Sequence, residues 1–356
     1  MKLALIGLPQ CGKTAVFEAV SGVHERSVGH GHVGVPVASV RVPDERLEFL
    51  RAATQPKKVT PATVDFYDAG GLFAGTAAKS DPHALAAARE ADGVAKVVRA
   101  FENPSVPHPH GAVDPARDLR EIDAELLLID LDQVERRIEK LEQSLHRPVK
   151  HDEREKKELA ALVRCRATLQ QGGTVADVRF SEEENLLLRG FCFLTQKPSV
   201  AVVNVGETEM DGGAALEAVR AIAPDAVALC AEVEREIGEL EPEERPAFLR
   251  EMGISEPGGP RVIRTAYAAL RAVTFYTTAH EELRAWTIPD GTEAVDAAGK
   301  IHTDMARGFI RAEVTAFEDL RSLGSFRETR ARGKTRLEGK DYVVRDGDII
   351  TFRFST

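Results

Sequence analysis

The sequence is poor in cysteine and has no long apolar run. Its four cysteines are far apart and form no C-x-x-C pair, which excludes a disulfide framework and a zinc ribbon. No apolar stretch approaches the roughly 20 residues of a membrane-spanning helix, and the N-terminal MKLALIGL is too short for a signal peptide. These absences predict a cytoplasmic protein without a membrane partner.

An excess of positive charge is also missing. The chain has 47 lysines and arginines against 57 aspartates and glutamates, so its formal net charge is −10. This balance argues against a protein that coats nucleic acid, and we expect no DNA partner, although a local basic patch is compatible with it. The length of 356 residues allows two or three domains.

The clearest motif is GLPQCGKT, which fits the pattern G-x-x-x-x-G-K-[ST]. It follows the apolar run KLALI and precedes AVFEAVSG, whose spacing is helical, and this is the context of a phosphate-binding loop. Gly7 and Gly12 allow backbone N–H groups to surround phosphates. Lys13 can reach the β- and γ-phosphates, and the Thr14 hydroxyl can bind Mg²⁺. The alternative is a chance match in an ordinary strand-to-helix turn.

A second motif supplies the carboxylate that a phosphate-loop protein needs. The segment ATVDFYDAGGL predicts a strand that ends at Asp68, followed by a D-x-x-G turn. We expect Asp68 near the Mg²⁺ shell and the Gly71 amide near a γ-phosphate. Many GTPases have a water-orienting glutamine directly after this turn, but here the residue is Leu72. Leucine cannot polarise water, so either another group does so or hydrolysis is slow without a partner.

The base-reading segment lies much later, where PSVAVVNVGETEM predicts a buried strand and a turn. Guanine-specific proteins have N-K-x-D at this point, and the aspartate accepts two hydrogen bonds from guanine. Here Asn204 is present, but Val205 replaces the lysine and Glu207 replaces the aspartate. The longer carboxylate fits the bidentate geometry poorly, which favours tolerance of ATP. The next strand, in DAVALCAEVE, ends near Ala231, where the last base-contacting loop is expected.

Long collinear blocks over nearly the whole chain resemble the YchF/Obg-like ATPase family of translation-factor-class P-loop proteins. Besides the motifs above, they include VPDERLEFL, CAEVEREIGEL, RAWTIPDGTEAVDAAGKIHTDMARGFIRAEV and RLEGKDYVVRDGDIITFRF. The resemblance implies an α/β fold: a P-loop NTPase domain with an inserted helical hairpin (coiled coil) and a C-terminal β-grasp (TGS) domain. It also implies hydrolysis of ATP at least as well as GTP, and association with the ribosome.

The resemblance also implies a set of site residues. Catalysis is assigned to Lys13, Thr14, Asp68 and Gly71, and Mg²⁺ to Thr14 and Asp68. The nucleotide-binding residues are Gly7, Gln10, Cys11, Gly12, Lys13, Thr14, Ala15, Asn204, Val205, Glu207 and Ala231. Three departures from the family pattern accompany them. Gln10 and Cys11 replace an Asn-Val pair, HERSVGHGHVG has no obvious threonine for Mg²⁺, and Ala77 stands where a histidine or serine is common.

The expected domain boundaries follow from composition and from the resemblance. Residues 1–130 and 191–281 form the nucleotide-binding domain, 131–190 the helical hairpin, and 282–356 the TGS domain. Apolar residues at heptad-like spacing predict the hairpin, and these are Val134, Ile138, Leu141, Leu145, Leu159, Leu162 and Leu169. Eight basic residues against three acidic ones between Arg321 and Arg345 add a local basic patch. A ribosome or RNA partner bound through the hairpin and TGS domain is one interpretation, and plain solvated surfaces are the other.

Three further features have both a functional and a plain structural interpretation. Cys11 lies at a predicted helix N-terminus, where the dipole lowers a thiol pKa, so its oxidation could block nucleotide binding; the alternative is a small apolar side chain. Two histidine pairs, His30 with His32 and His108 with His110, could suggest a metal. Flexible-loop histidines are favoured because a third ligand at suitable spacing is missing from the sequence. Lys96 interrupts the apolar strand GVAKVVRAF without an evident reason.

These motifs predict a protein that binds Mg²⁺-ATP, with GTP as a competitor, and hydrolyses the β–γ bond slowly. Two alternatives stay open. One is a GTP-specific switch of the Obg type. The other is a catalytically weak adaptor that binds the ribosome and holds nucleotide as a structural plug.

Overall fold

The computed structural model describes residues 1–22, 34–73, 81–146, 153–241, 243–279 and 281–355. The chain divides into two units. The parallel-sheet unit comprises Lys2–Ala38 and Asp65–Ala266, and the C-terminal unit comprises Ser39–Val64 and Tyr267–Thr356 together with Met1. The predicted P-loop motifs therefore lie in the first unit.

The strands and helices follow one another along the chain in this order. The strands are β1 (Lys2–Ile6), β2 (Val37–Arg41), β3 (Lys58–Thr60), β4 (Thr63–Asp68), β5 (Gly93–Ala100), β6 (Ser199–Val205), β7 (Val227–Leu229), β8 (Ala272–Ala279), β9 (Glu282–Pro289), β10 (Phe309–Ala316), β11 (Arg336–Glu338) and β12 (Asp348–Phe354). The helices are α1 (Lys13–Ser21), α2 (Arg46–Thr54), α3 (Pro82–Glu90), α4 (Pro115–Leu145), α5 (Glu153–Gln170), α6 (Glu182–Leu188), α7 (Gly213–Arg220), α8 (Ala231–Glu239), α9 (Arg245–Glu251), α10 (Gly258–Ala269), α11 (Ala294–Ile301), α12 (Thr303–Arg307), α13 (Phe317–Leu323) and α14 (Phe326–Ala331).

The first sheet has the order β2-β4-β1-β5-β6-β7. Strand β1 pairs in parallel with β4 and β5, and β6 pairs in parallel with β5 and β7. Strands such as KLALI and SVAVVNV are buried along almost their whole length, as parallel strands covered on both faces are. The carboxyl ends of these strands meet at one edge, which is where ligands bind in open α/β sheets.

The helix after the phosphate-binding motif matches its prediction. Helix α1 buries Val16, Phe17 and Val20 on one face. It ends at Gly22, whose φ of 64° is left-handed and whose N–H caps the last turn, as glycine commonly does at this position. The start and the end of this helix could therefore both be predicted from the flanking glycines and the apolar spacing.

Helices α4 and α5 form the predicted hairpin. The heptad positions Val134, Ile138 and Leu141 are buried against a cluster from α5, and Arg137 donates two hydrogen bonds to Glu158, at 2.7 and 2.9 Å. Helix α4 runs without a break across residue 131, so the predicted domain division falls inside a helix. In the sequence, Pro148 interrupts the heptad-like pattern between the two helices, and this position lies outside the described residues.

Two acidic residues of α4 join it to β5 and to the segment that precedes β6. Asp123 accepts a hydrogen bond from Lys96 at 2.6 Å, which gives that lysine of β5 its partner. Asp130 is fully buried and accepts from the backbone N–H groups of Leu194 and Thr195, at 3.0 and 2.8 Å, and from the Thr195 hydroxyl at 2.8 Å. The hairpin is therefore fixed at its base by polar contacts, of which those of Asp130 are the more buried.

The C-terminal unit is built on a mixed sheet of order β11-β10-β12-β8-β9-β3. Strand β8 pairs antiparallel with β9, and β10 pairs antiparallel with β11 and β12, while β12 runs parallel to β8. Helix α11 packs its alanines on one face of this sheet, in a core that includes Phe275 and Ile350. The predicted α/β fold with a C-terminal β domain is confirmed.

The basic patch of the C-terminal unit is largely neutralised. Five of its eight basic side chains form ion pairs, and they are Arg321, Arg330, Arg332, Lys334 and Arg336. Their partners include Glu313, Glu318 and Asp319, which lie before the patch in sequence. The patch is thus less basic in the fold than its sequence indicates.

Candidate nucleotide site

The phosphate-binding loop lies between β1 and α1, and glycine is required at both of its motif positions. Gly12 has φ of 85°, and a Cβ there would lie 2.3 Å from Asn204 Nδ2. A Cβ on Gly7 would lie 2.4 Å from the carbonyl oxygen of Val97. Lys13 Nζ donates to the carbonyl oxygens of Gly7 and Leu8, both at 2.9 Å. The lysine ammonium is therefore held against the loop whose amides would surround a phosphate.

The exposed part of the loop contains the other predicted phosphate residues. Gln10 is exposed, with a left-handed φ of 63°, an uncommon conformation for a residue other than glycine. Thr14 and Ala15 are exposed at the first turn of α1. The helix N-terminus adds positive potential at this point.

Thr14 and Asp68 are brought together from different parts of the chain. The Thr14 hydroxyl donates to Asp68 Oδ2 at 2.9 Å, and the Gly70 N–H donates to Asp68 Oδ1 at 3.1 Å. Burial raises the pKa of Asp68, while the Thr14 hydroxyl, the nearby Lys13 charge and the Gly70 N–H act in the opposite direction. A hydroxyl and a carboxylate in contact are suitable oxygen ligands for Mg²⁺.

A hydrogen bond joins the D-x-x-G turn to the residue that precedes α3. Gly71 has φ of 88°, and its carbonyl oxygen accepts a hydrogen bond from the Asp81 N–H at 3.1 Å. Leu72 is 1% exposed and packs in the core cluster of this unit. The position where many GTPases have a water-orienting glutamine is thus occupied by a core side chain. Ala77, and the HERSVGHGHV part of the first switch segment, lie outside the described residues.

Next to the loop is a cavity of ≈ 530 Å³ at the carboxyl ends of β5 and β6 and the N-terminus of α8. Six of the predicted binding residues line it, and they are Gly12, Ala15, Asn204, Val205, Glu207 and Ala231. Asn204 is buried and holds this region together. Its Nδ2 donates to the Cys11 carbonyl at 3.2 Å, and its Oδ1 accepts from the Ala231 N–H at 3.3 Å. The two hydrogen bonds of Asn204 thus connect the phosphate-binding loop with the start of α8 at the edge of the cavity.

The structure adds a wall of this cavity that the sequence motifs do not identify. Phe101, Glu102 and Asn103, which follow β5, line it. Beneath them Arg99 is 1% exposed, its guanidinium lies 4.6 Å from the centre of the Phe101 ring, and its Nε donates to the Phe101 carbonyl at 3.0 Å. In the sequence, the sign of this wall was the arginine inside the apolar strand GVAKVVRAF, since buried cations are rare without a specific role.

The cavity is also acidic. Four glutamates line it, and they are Glu102, Glu207, Glu209 and Glu232. Carboxylates accept hydrogen bonds and do not donate them, so they suit a ligand with amino groups on its edge. Adenine and guanine both have such groups.

Known proteins are similar to this chain over almost its whole length. Residues 272–355 match the family model YchF-GTPase_C, described as a protein of unknown function (DUF933). The chain is 39% identical to "Ribosome-binding ATPase YchF" of Haemophilus ducreyi, over 99% of each chain. It is 35% identical to "Obg-like ATPase 1" of rice, Oryza sativa subsp. japonica, over 100% of this chain and 92% of the relative. This chain belongs to the YchF family.

A solved structure extends the likeness to three dimensions. The YchF GTPase of Schizosaccharomyces pombe superposes with a TM-score of 0.84 at 28% sequence identity, covering 99% of this chain and 97% of the other. Among the residues that the present structure describes, no helix is both long and apolar enough to span a bilayer.

The predicted lowering of the Cys11 pKa is wrong. Cys11 is 3% exposed, and a Cβ added at Gly7 would lie only 2.8 Å from its sulfur. Burial raises the pKa of the thiol and outweighs the nearby Lys13 charge. Because the thiolate is the reactive form, the buried side chain acts as the small apolar filler that was the alternative.

Thiol labelling tests this assignment. Cys192 is exposed, whereas Cys11, Cys165 and Cys230 are buried, and burial raises the pKa of Cys165 to about 11. A brief iodoacetamide pulse, followed by peptide mass spectrometry, should therefore modify Cys192 first, and the Cys192→Ser variant should show almost no early labelling. Labelling of Cys11 as fast as that of Cys192 would contradict the buried assignment.

His30 and His32 lie outside the described residues, and the expectation of a flexible-loop histidine is wrong for His108. It is buried, and its Nδ1 accepts from the His110 N–H at 3.1 Å, so the ring proton is on Nε2, which donates to Asp118 at 2.8 Å. The second oxygen of Asp118 accepts from Arg117 at 2.7 Å. Asp118 also forms a compact group with His110 and Glu121. Since both of its oxygens are engaged, we interpret the group as an anchor for the start of α4.

Proposed function

We propose that this protein is a Mg²⁺-dependent nucleotide hydrolase that cleaves ATP, and GTP less readily, and associates with the ribosome. The observation that carries the proposal is Asn204, which ties the phosphate-binding loop to an acidic pocket that includes Glu207. The names of the relatives, a ribosome-binding ATPase and an Obg-like ATPase, support the same reaction.

In this proposal each part of the site has one task. The loop amides and the Lys13 ammonium bind the β- and γ-phosphates and stabilise the negative charge that develops on them. Thr14 and Asp68 would hold Mg²⁺, directly or through water, and the ion would neutralise phosphate charge. The Gly71 N–H would orient the γ-phosphate. The pocket formed by Asn204, Val205, Glu207 and Ala231 would receive the base.

Slow turnover follows from Leu72. A buried leucine cannot orient the attacking water, so the unassisted protein lacks the group that many GTPases use. We propose that ribosome binding, through the α4–α5 hairpin and the C-terminal β-grasp domain, supplies or completes this function. Single-turnover hydrolysis of both nucleotides, with and without ribosomes, distinguishes this enzyme from an adaptor that only holds nucleotide; no cleavage in either condition would favour the adaptor.

Base selection can be tested at Glu207. In Glu207→Asp the shorter carboxylate should accept both the N1–H and the amino group of guanine, and GTP affinity should rise about tenfold, equal to 1.4 kcal/mol. ATP affinity should not rise, because adenine has no N1–H. Calorimetric titration with each nucleotide measures the two changes.

The matched control is Glu217→Asp. Glu217 is an exposed glutamate of α7 and is not part of the pocket lining, so this variant should leave both affinities unchanged. Equal changes for ATP and GTP in Glu207→Asp would show that Glu207 does not read the base. Wild-type protein that binds only GTP would instead favour the GTP-specific switch.

A further inference from the structure

A second cavity, of ≈ 520 Å³, lies between α3 and α4. Its α4 wall uses positions three and four residues apart, which place their side chains on one face of the helix, and α3 contributes Leu85 and Arg89. Phe191 completes the lining. None of these residues lines the acidic pocket, so this α3–α4 groove is a separate site.

The groove is basic in a protein whose net charge is −10. Four cations line it against one carboxylate, and the cations are Arg89, Arg136, Arg137 and Lys140. Asp132 pairs with Arg136 at 2.9 Å, and Glu158 pairs with Arg137. In the described part of the chain, neither Arg89 nor Lys140 has a carboxylate within ion-pair distance. Lys140 is thus available to an anion, and Arg136 can exchange its partner for one, because its ion pair with Asp132 is exposed and therefore weak. The charge of Arg89 also stabilises the buried carboxylate of Asp130.

Arg89 is also incompletely hydrogen-bonded. Its Nη2 donates to the neutral side chain of Gln133 at 2.9 Å. Its Nε is buried and has no hydrogen-bond partner among the described residues. A guanidinium that is short of acceptors, beside an exposed lysine and a second arginine, is suited to phosphate oxygens.

We propose that the α3–α4 groove binds backbone phosphates of RNA. The proposal rests on the proposed association with the ribosome and locates part of it. Phe191 is half-buried in this lining and stacks on Phe193, with ring centres 5.1 Å apart. An aromatic ring next to positive charge is how proteins bind single-stranded RNA. An acidic peptide would satisfy the charges but would have no base to stack on the ring.

Salt-dependent RNA binding by the full-length protein tests the groove. In R136A/K140A, two exposed phosphate contacts are lost, so the slope of log K against log salt should become shallower by about 1.4, at about 0.7 for each contact with a single strand. The probe is a fluorescent oligouridylate followed by anisotropy over a KCl series. In R89Q, which changes the opposite wall, the slope should become shallower by about 0.7. ATP affinity should not change in either variant.

The matched control is K156A/K157A on α5. It removes the same charge from exposed residues that also belong to ion pairs, and its slope should equal that of wild type. An unchanged slope in R136A/K140A, or an equally reduced slope in both double variants, would contradict the proposal that the groove binds RNA. A glutamate-rich peptide that binds as tightly as RNA, and is lost equally in R136A/K140A, would overturn the RNA assignment. If wild type cleaves no nucleotide but the slopes change as expected, the hydrolase proposal fails while the groove stands.

Discussion

Lys13→Ala should reduce ATP hydrolysis by about a hundredfold or more, the usual cost of losing one preorganised donor to a developing negative charge. The effect should be large because Nζ is held by the Gly7 and Leu8 carbonyls at the loop itself. A phosphate of the ligand could therefore accept hydrogen bonds from Lys13 Nζ without a rearrangement of the loop. Single-turnover hydrolysis, together with a direct titration of ATP, measures the loss of rate and of affinity separately.

The control for this variant is Lys57→Ala. Its side chain is 77% exposed, so its removal should leave both measurements unchanged. Circular dichroism should show that Lys13→Ala keeps its fold, because the lysine is not a core residue. ATP affinity equal to that of wild type in Lys13→Ala would refute the assignment of GLPQCGKT as the phosphate site.

The parts of the site that could be predicted from sequence are those set by local chemistry. A glycine at position 12 is required by a left-handed φ and by contact with Asn204. Because no other residue satisfies this requirement, the glycine is part of the motif that the sequence shows. Asp68 could also be predicted, because it stands at the end of its strand and begins the D-x-x-G turn. Strand, loop and helix follow each other within a few residues, so the spacing itself carries the information.

The Phe101 wall could not be predicted in this way. Phe101 reaches the pocket only because β5 lies beside β6 in the sheet, with Arg99 opposite Asn204, and strand order is a tertiary property. Cys11 shows the opposite failure. Its position at a helix N-terminus predicts a lowered pKa, but desolvation raises the pKa and outweighs the nearby Lys13 charge. Burial cannot be seen in a short motif.

Asp130→Ala should destabilise the base of the hairpin by about 2–4 kcal/mol. It leaves the buried Leu194 amide without an acceptor, at roughly 1–3 kcal/mol, and the half-buried Thr195 amide costs about 1 kcal/mol more. Burial raises the pKa of Asp130 although its hydrogen bonds with Leu194 and Thr195 act in the opposite direction. Its carboxylate is therefore costly to bury. The loss in the variant comes from the donors left behind and not from the charge removed.

The readout for Asp130→Ala is hydrogen exchange at Leu194 and Thr195, with the midpoint of urea unfolding as the global measure. Both amides should exchange much faster than in wild type, because their protection depends on the acceptor that the variant lacks. Asp132→Ala is the matched control, since Asp132 is exposed on the same helix and pairs only with Arg136 at the surface; it should change stability by no more than about 0.5 kcal/mol. Unchanged protection of both amides in Asp130→Ala would mean that the hairpin is held by its apolar cluster alone, around Val134 and Leu162.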